Sequence, residues 1–76
     1  MGELVAVIAK ALVDYPEQVT VSEIIGQEST VVELRVAQED MGKIIGKQGK
    51  IAKAIRSVVK AAANKENKRV IVEIVQ

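Results

Sequence analysis

The sequence predicts an α+β domain in which three helices cover one face of a three-stranded mixed sheet, in the order α-β-β-α-α-β. Three observations carry that expectation. The chain has 76 residues, 49% of them hydrophobic, which leaves room for one core and no second, so residues 1–76 read as one domain. Apolar residues recur at helical spacing in some segments and alternate with period two in others. About thirty residues separate the last two strand-like runs, enough for a crossover between parallel strands. A right-handed crossover places both intervening helices on the side of the first.

The segment Glu3–Asp14 puts Leu4, Val5, Ile8, Ala11 and Leu12 on one helical face. Its stop is Tyr15-Pro16, because proline disfavours helical geometry in the residue before it. Val19–Gly26 is rich in β-branched residues, and its Ile24-Ile25 pair breaks the alternation. That break reads as a bulge or a strand end near Glu23. Gly26–Ser29 is the turn. Thr30–Ala37 sets Val32, Leu34 and Val36 against Val31, Glu33, Arg35 and Ala37, and the two runs form an antiparallel hairpin. Its charged face implies a sheet covered on one side only, with Val31, Ala37, Ile71 and Val75 on the open side. Glu39 or Asp40 caps a short helix through Ile45, and Gly46-Lys47-Gln48-Gly49 breaks it. A longer helix runs from Lys50 to Ala63. Ile51, Ile55, Val58, Val59 and Ala62 fall on one side of it, with Lys53, Arg56 and Lys60 opposite. Asn64–Asn67 closes that helix, and Lys68–Val75 alternates as the last strand.

Composition excludes several function classes. The chain has no Cys and no His, so it lacks disulfides, thiolate metal sites and the commonest general base and metal ligand. Acids are scattered through the first half, and Ser22, Ser29 and Ser57 have no evident activating partner. Neither an enzyme nor a resident cofactor or metal is expected, and no small-molecule substrate. Tyr15 is the single aromatic residue, which excludes a stacking platform, and it reads as packed at a helix end. Apolar runs fall short of a membrane span, and the N-terminus lacks a basic secretory opening. A cytoplasmic protein is expected.

The formal net charge of +1 conceals an asymmetry. Residues 1–42 hold two basic and eight acidic side chains, net −6, whereas residues 43–69 hold nine basic residues and Glu66, net +8. A block this basic in a neutral protein suits a polyanion. The alternative is a solvated face whose lysines pair with acids of the first half.

The block centres on Gly42-Lys43-Ile44-Ile45-Gly46-Lys47-Gln48-Gly49-Lys50-Ile51-Ala52-Lys53. Two glycines three apart between helices permit a tight turn and close backbone approach to a ligand. The following helix directs its unpaired N–H groups and positive dipole end at the same point, where Lys43, Lys47 and Lys50 add formal charge. That combination suits a phosphate backbone. The phosphate loop of nucleotide hydrolases fits poorly, since it needs a preceding strand and a following hydroxyl.

Ile44-Ile45-Gly46-Lys47-Gln48-Gly49-Lys50-Ile51, with Ile55 four residues on, resembles the signature of the K-homology (KH) domain, whose GXXG loop clamps about four nucleotides of single-stranded RNA. The element order resembles the type II, prokaryotic variant, and the resemblance covers the whole chain. In length and motif it resembles more narrowly the small bacterial single-KH proteins of the KhpA type. The resemblance implies that Gly46, Lys47, Gln48 and Gly49 form the backbone clamp, with Lys47 beside a phosphate. It implies that Ile44, Ile45, Ile51 and Ile55 line or support an apolar groove for bases, and that Lys43, Lys50 and Lys53 neutralise further phosphates. The strand Thr30–Ala37 and the loop Gly26–Ser29 would form the other wall. Gly42 reads as a packing position, and Lys53, Arg56 and Lys60 as either long-range electrostatic help or a solvated stripe.

The function so implied is single-stranded RNA binding by a bacterial post-transcriptional regulator or RNA chaperone, linked to cell elongation and division. The competing function is a protein–protein adaptor, acting as a homodimer or as partner of a larger KH-containing protein.

Overall fold

The computed structural model describes residues 1–75. Helix α1 spans Gly2–Leu12, followed by a 3₁₀ turn at Pro16–Gln18, strands β1 (Thr20–Ile25) and β2 (Thr30–Arg35), and a second 3₁₀ turn at Gln38–Asp40. Helix α2 (Met41–Ile45), a third 3₁₀ turn (Lys47–Gly49), helix α3 (Lys50–Lys65) and strand β3 (Val70–Val75) complete the described chain. The sheet order is β1-β2-β3, with β2 antiparallel to β1 and parallel to β3. The α+β architecture with a mixed sheet is the one the sequence predicts.

The β1–β2 register runs without interruption from Thr20 opposite Arg35 to Ile25 opposite Thr30. There is no bulge at Glu23. Alternation therefore carries Val21, Glu23 and Ile25 to the helix-covered face and Ile24 to the open one. The charged Glu23 is tolerated there because it meets the start of α1. The Gly2 N–H donates to Glu23 Oε1 at 2.6 Å, and the Met1 amino group lies 3.4 Å away. Those bonds, the Gly2 amide first, hold the Glu23 carboxyl below its ordinary pKa, as expected for an anion at a helix N-terminus.

The core lies between the helices and the sheet. Val5 and Ala9 of α1, Val32 and Leu34 of β2, Ile44 of α2, Ile55 and Val59 of α3 and Val72 of β3 are all buried. Ala9 takes the place expected of Ala11, which is exposed. On α3 the buried residues are Ala52, Ile55, Val59 and Ala63, so the buried face is rotated by roughly 60° from the expected one at 100° per residue. Val58 is consequently 48% exposed. The small Ala52 and Ala63 let the helix backbone sit close to its neighbours, and the dispersion attraction of that close approach outweighs burying one more valine.

Ala37 is also placed differently from the expectation. The strand ends at Arg35, the chain turns into the Gln38–Asp40 segment, and Ala37 is buried rather than on the open face. The open face instead carries a row across all three strands, Ile24 opposite Val31 and Val31 opposite Ile71. At its far end α3 runs to Lys65, and Asn67 adopts the left-handed conformation at φ 57°. Asn67 N–H donates to Asn64 O at 3.1 Å and Lys68 N–H to Ala63 O at 2.9 Å, the bond pattern of a Schellman stop.

Asp40 is read from sequence as a candidate helix cap, but its side chain makes no capping bond to α2. It is fully buried, and its two carboxylate oxygens accept the Asp14 and Tyr15 N–H groups at 3.1 and 3.0 Å. Those amides would otherwise continue α1, which is why the helix stops at Leu12 instead of reaching Asp14. Asp40→Ala strands two donors in a partly buried site, and a loss of about 3 kcal/mol is expected in denaturant unfolding. Asp40→Asn, with one acceptor oxygen, is expected to fall between that variant and the parent.

Candidate nucleic-acid interface

The Gly46–Gly49 turn joins α2 to α3. Gly46 has φ 74° and ψ 174°, a region populated essentially by glycine. A Cβ built there would lie 2.2 Å from Ile51 Cγ1, 2.8 Å from Ile51 Cβ and 2.9 Å from the Ile51 nitrogen. Gly49 is left-handed at φ 76° and ψ 13°, with nothing within 4 Å of an added Cβ. The two glycines therefore do different work: Gly46 lets the loop close on Ile51, whereas Gly49 only supplies a backbone conformation. Gln48 between them is itself left-handed at φ 58°. Bonds from Gly46 N–H to Gly42 O at 2.8 Å and from Gly49 N–H to Gly46 O at 3.2 Å fix the turn.

This backbone leaves Lys47 and Gln48 exposed at the tip. Lys50 and Lys53, on the first turns of α3, are exposed beside it. Ile45 is 38% exposed and Ile51 half-buried beneath Gly46, while Ile44 is wholly buried in the core. Ile44 thus supports the surface from below, and Ile45 is the isoleucine of that pair that reaches solvent. Lys43 is exposed but bound to Asp14 by an ion pair. That hydrogen bond to the Asp14 carboxylate holds the ammonium above the ordinary lysine pKa.

Asp14 is thereby gripped twice, through its amide by Asp40 and through its carboxylate by Lys43. Both grips come from the segment leading into the turn, so the end of α1 orients α2 and with it the loop. Sequence reasoning missed this. The partners lie 26 and 29 residues from Asp14, and no local pattern marks them.

Among the described residues, Lys43 is the sole member of the basic block in an ion pair. The basic stretch is therefore not neutralised by the acidic half. Arg56 departs from the expected outer stripe, because the rotation of α3 turns it toward the sheet. Its Nε donates to the Val72 carbonyl at 3.3 Å. Val72 belongs to β3, an edge strand, whereas β2 is central with a strand on each side. The edge strand beside the Arg56 side of α3 is accordingly β3, whereas Thr30–Arg35, expected as the other wall of a groove, is the central strand. Among the described residues there is no grouping of acids suited to a metal ion, and no helix is long and apolar enough to cross a membrane.

Comparison with known proteins places this architecture. The chain is 68% identical over 75 residues to the RNA-binding protein KhpA of Clostridium perfringens, covering 99% of this chain and 100% of that one. It is 69% identical over 75 residues to the RNA-binding protein KhpA of Caldanaerobacter subterraneus subsp. tengcongensis, again covering 99% and 100%. Among solved structures it is similar to Era in complex with MgGDPNP and nucleotides 1506–1542 of 16S ribosomal RNA, at TM-score 0.61 and 23% identity. Aquifex aeolicus Era bound to GDP and AlF4− matches at TM-score 0.60 and 23% identity. Both matches cover 96% of this chain and 28% of the Era chain, a likeness of fold. With the family model for the KhpA/KhpB KH domain matching residues 2–74, the chain belongs to the KhpA/KhpB family of KH-domain proteins.

Proposed function

We propose that this protein binds single-stranded RNA, holding the backbone at Gly46–Gly49 and laying bases in the groove between α3 and the edge strand β3. The observation that supports it most is the conjunction of an exposed Lys47-Gln48 tip on a glycine-built turn with an un-neutralised basic block. The relatives named RNA-binding proteins point the same way. The Lys50 N–H is already held by the Lys47 carbonyl, so the donors offered to a phosphate are the amides that follow it in the first turn of α3; Lys47 supplies charge, and Lys50 and Lys53 meet the next phosphates. Lys43 contributes less, because Asp14 already holds it. Ile45 and Ile51 offer aliphatic contact, which replaces aromatic stacking in a chain whose one aromatic is Tyr15.

Binding by so small a surface is weak, tolerant of sequence and sensitive to salt. For a tetranucleotide, three neutralised phosphates give a slope of log affinity against log salt of about −2, at about −0.7 each. Fluorescence anisotropy over a salt series measures it. A wild-type protein that ignores single-stranded RNA, or binds it independently of salt, sinks the reading.

A second reading is association, with the homodimer or a larger KH-containing partner as the occupant of the open sheet face. It is favoured by the apolar row Ile24, Val31 and Ile71, in which Ile24 and Ile71 are 54% and 46% exposed and Val31 between them is half-buried. Sedimentation over a concentration series distinguishes it. A single monomer mass throughout counts against self-association.

A further inference from the structure

The cleft at the opposite end of α3 lies between the same two elements as the groove, at their far end from Gly46–Gly49, and supplies none of the residues used in that site. It opens between the C-terminal half of α3 and the start of β3, holds about 1050 Å³, and is lined by Lys60, Asn64, Asn67, Lys68 and Arg69. Glu28, from the hairpin turn, is its one acidic lining residue. Lys60, Lys68 and Arg69 are exposed and enter no ion pair among the described residues. Three like charges around one concavity repel each other; Glu28 lies among them and Glu23 acts on Lys68 from outside the cleft, so the three cations still outnumber the acids. An anion entering the cleft would relieve that repulsion.

The cleft is also held in shape. The Schellman bonds from Asn67 and Lys68 fix the end of α3, and Thr30 N–H donates to Arg69 O at 2.9 Å, tying the approach to β3 onto the sheet. The side-chain amides of Asn64 and Asn67 add neutral donors. Ten residues of helix separate Lys50 from Lys60, about 15 Å along the axis. The two basic clusters therefore address different phosphates, and exposed Lys53 lies on the same helix between them.

We propose that this cleft is a second phosphate-binding site, occupied by nucleotides of the same RNA strand beyond those held at Gly46–Gly49. The proposal rests on the RNA-binding reading and extends it from a tetranucleotide to a longer strand. Glu28 acts within the cleft as a brake, weakening the hold on the strand.

The test compares a tetranucleotide with an unstructured strand of about twelve nucleotides. Three further phosphate contacts should steepen the salt slope by about 2 on the longer strand. The wild type should then lose about 20-fold more affinity on the long strand than on the short one between about 50 and 200 mM salt. The triple variant Lys60→Gln, Lys68→Gln, Arg69→Gln should bind the tetranucleotide like wild type, and its slope on the long strand should fall to the tetranucleotide value. All three residues are exposed, and an unchanged melting temperature confirms that the variant folds. Glu28→Gln should tighten the long strand about threefold and leave the short one unchanged. If the tetranucleotide binds but the triple variant keeps the wild-type slope on the long strand, the second site is wrong and the loop site stands. The cleft would then suit an acidic protein partner. If the wild type binds neither RNA, both readings fall.

Discussion

Gly46→Ala is expected to cost about 4 kcal/mol in urea unfolding, whereas Gly49→Ala costs about 1 kcal/mol. The two residues look equivalent in the motif and differ in their surroundings. At Gly46 an alanine meets both a backbone region closed to it and a clash with Ile51 Cγ1. Rotating Ile51 could remove that overlap, but the contacts at 2.8 and 2.9 Å are with its Cβ and backbone nitrogen, which move only if α3 moves. At Gly49 the space is open, and the cost is the left-handed conformation alone, partly offset by a less flexible unfolded chain. A domain of this size has a total stability of only several kcal/mol, so the first variant approaches unfolding at ambient temperature and the second does not. Equal losses at the two positions would show that the loop does not close on Ile51.

Replacing Lys47 and Gln48 together with aspartate is expected to weaken RNA binding about 100-fold or more while leaving the melting temperature close to wild type. Both side chains are exposed, and Gln48 sits at φ 58° and ψ 25°, a conformation that aspartate tolerates better than most residues. The fold therefore has little to lose. Binding loses the attraction of Lys47 and gains two repulsions at the point where the backbone would sit. With each unit-charge contact worth about 1 kcal/mol in a water-like medium, the swing is about 3 kcal/mol. Anisotropy with the tetranucleotide measures the loss, and thermal melting followed by circular dichroism measures the fold. A folded double variant that binds RNA as wild type does would remove the loop from the interface. The contrast with Gly46→Ala is informative: one change damages the scaffold, the other the surface it presents.

Much of the architecture is legible along the chain because its signals are local. Alternation in Thr30–Ala37 and Lys68–Val75 anticipates two strands whose observed cores are Thr30–Arg35 and Val70–Val75. Pro16 marks the end of α1 to within a few residues, and the glycine pair marks the break between α2 and α3. The departures share one origin in long-range packing. Ile24-Ile25 is a poor guide to a bulge because an acid at Glu23 can sit on the covered face once α1 supplies donors. Val58 outranks Ala52 and Ala63 in hydrophobicity, yet the small residues are buried, since close helix packing selects for size as well as apolarity. Asp40 resembles a cap in every local respect, and its partners lie a 3₁₀ turn and a hairpin away.

By itself, then, the sequence determined the order of elements, the mixed sheet, the position of the glycine turn and the concentration of positive charge around and beyond it. These follow from periodicity and spacing, which neighbouring residues express without reference to the rest of the chain. Tertiary structure alone decided that Gly46 and Gly49 are unequal, that Lys43 is held by Asp14, that Arg56 turns to Val72, and that β3 rather than β2 is the edge strand beside it. It also decided that Lys60, Lys68 and Arg69 gather around one cleft with Glu28. Each of these depends on which distant segments pack together, and packing is set by the shape of the whole core rather than by any local run of residues.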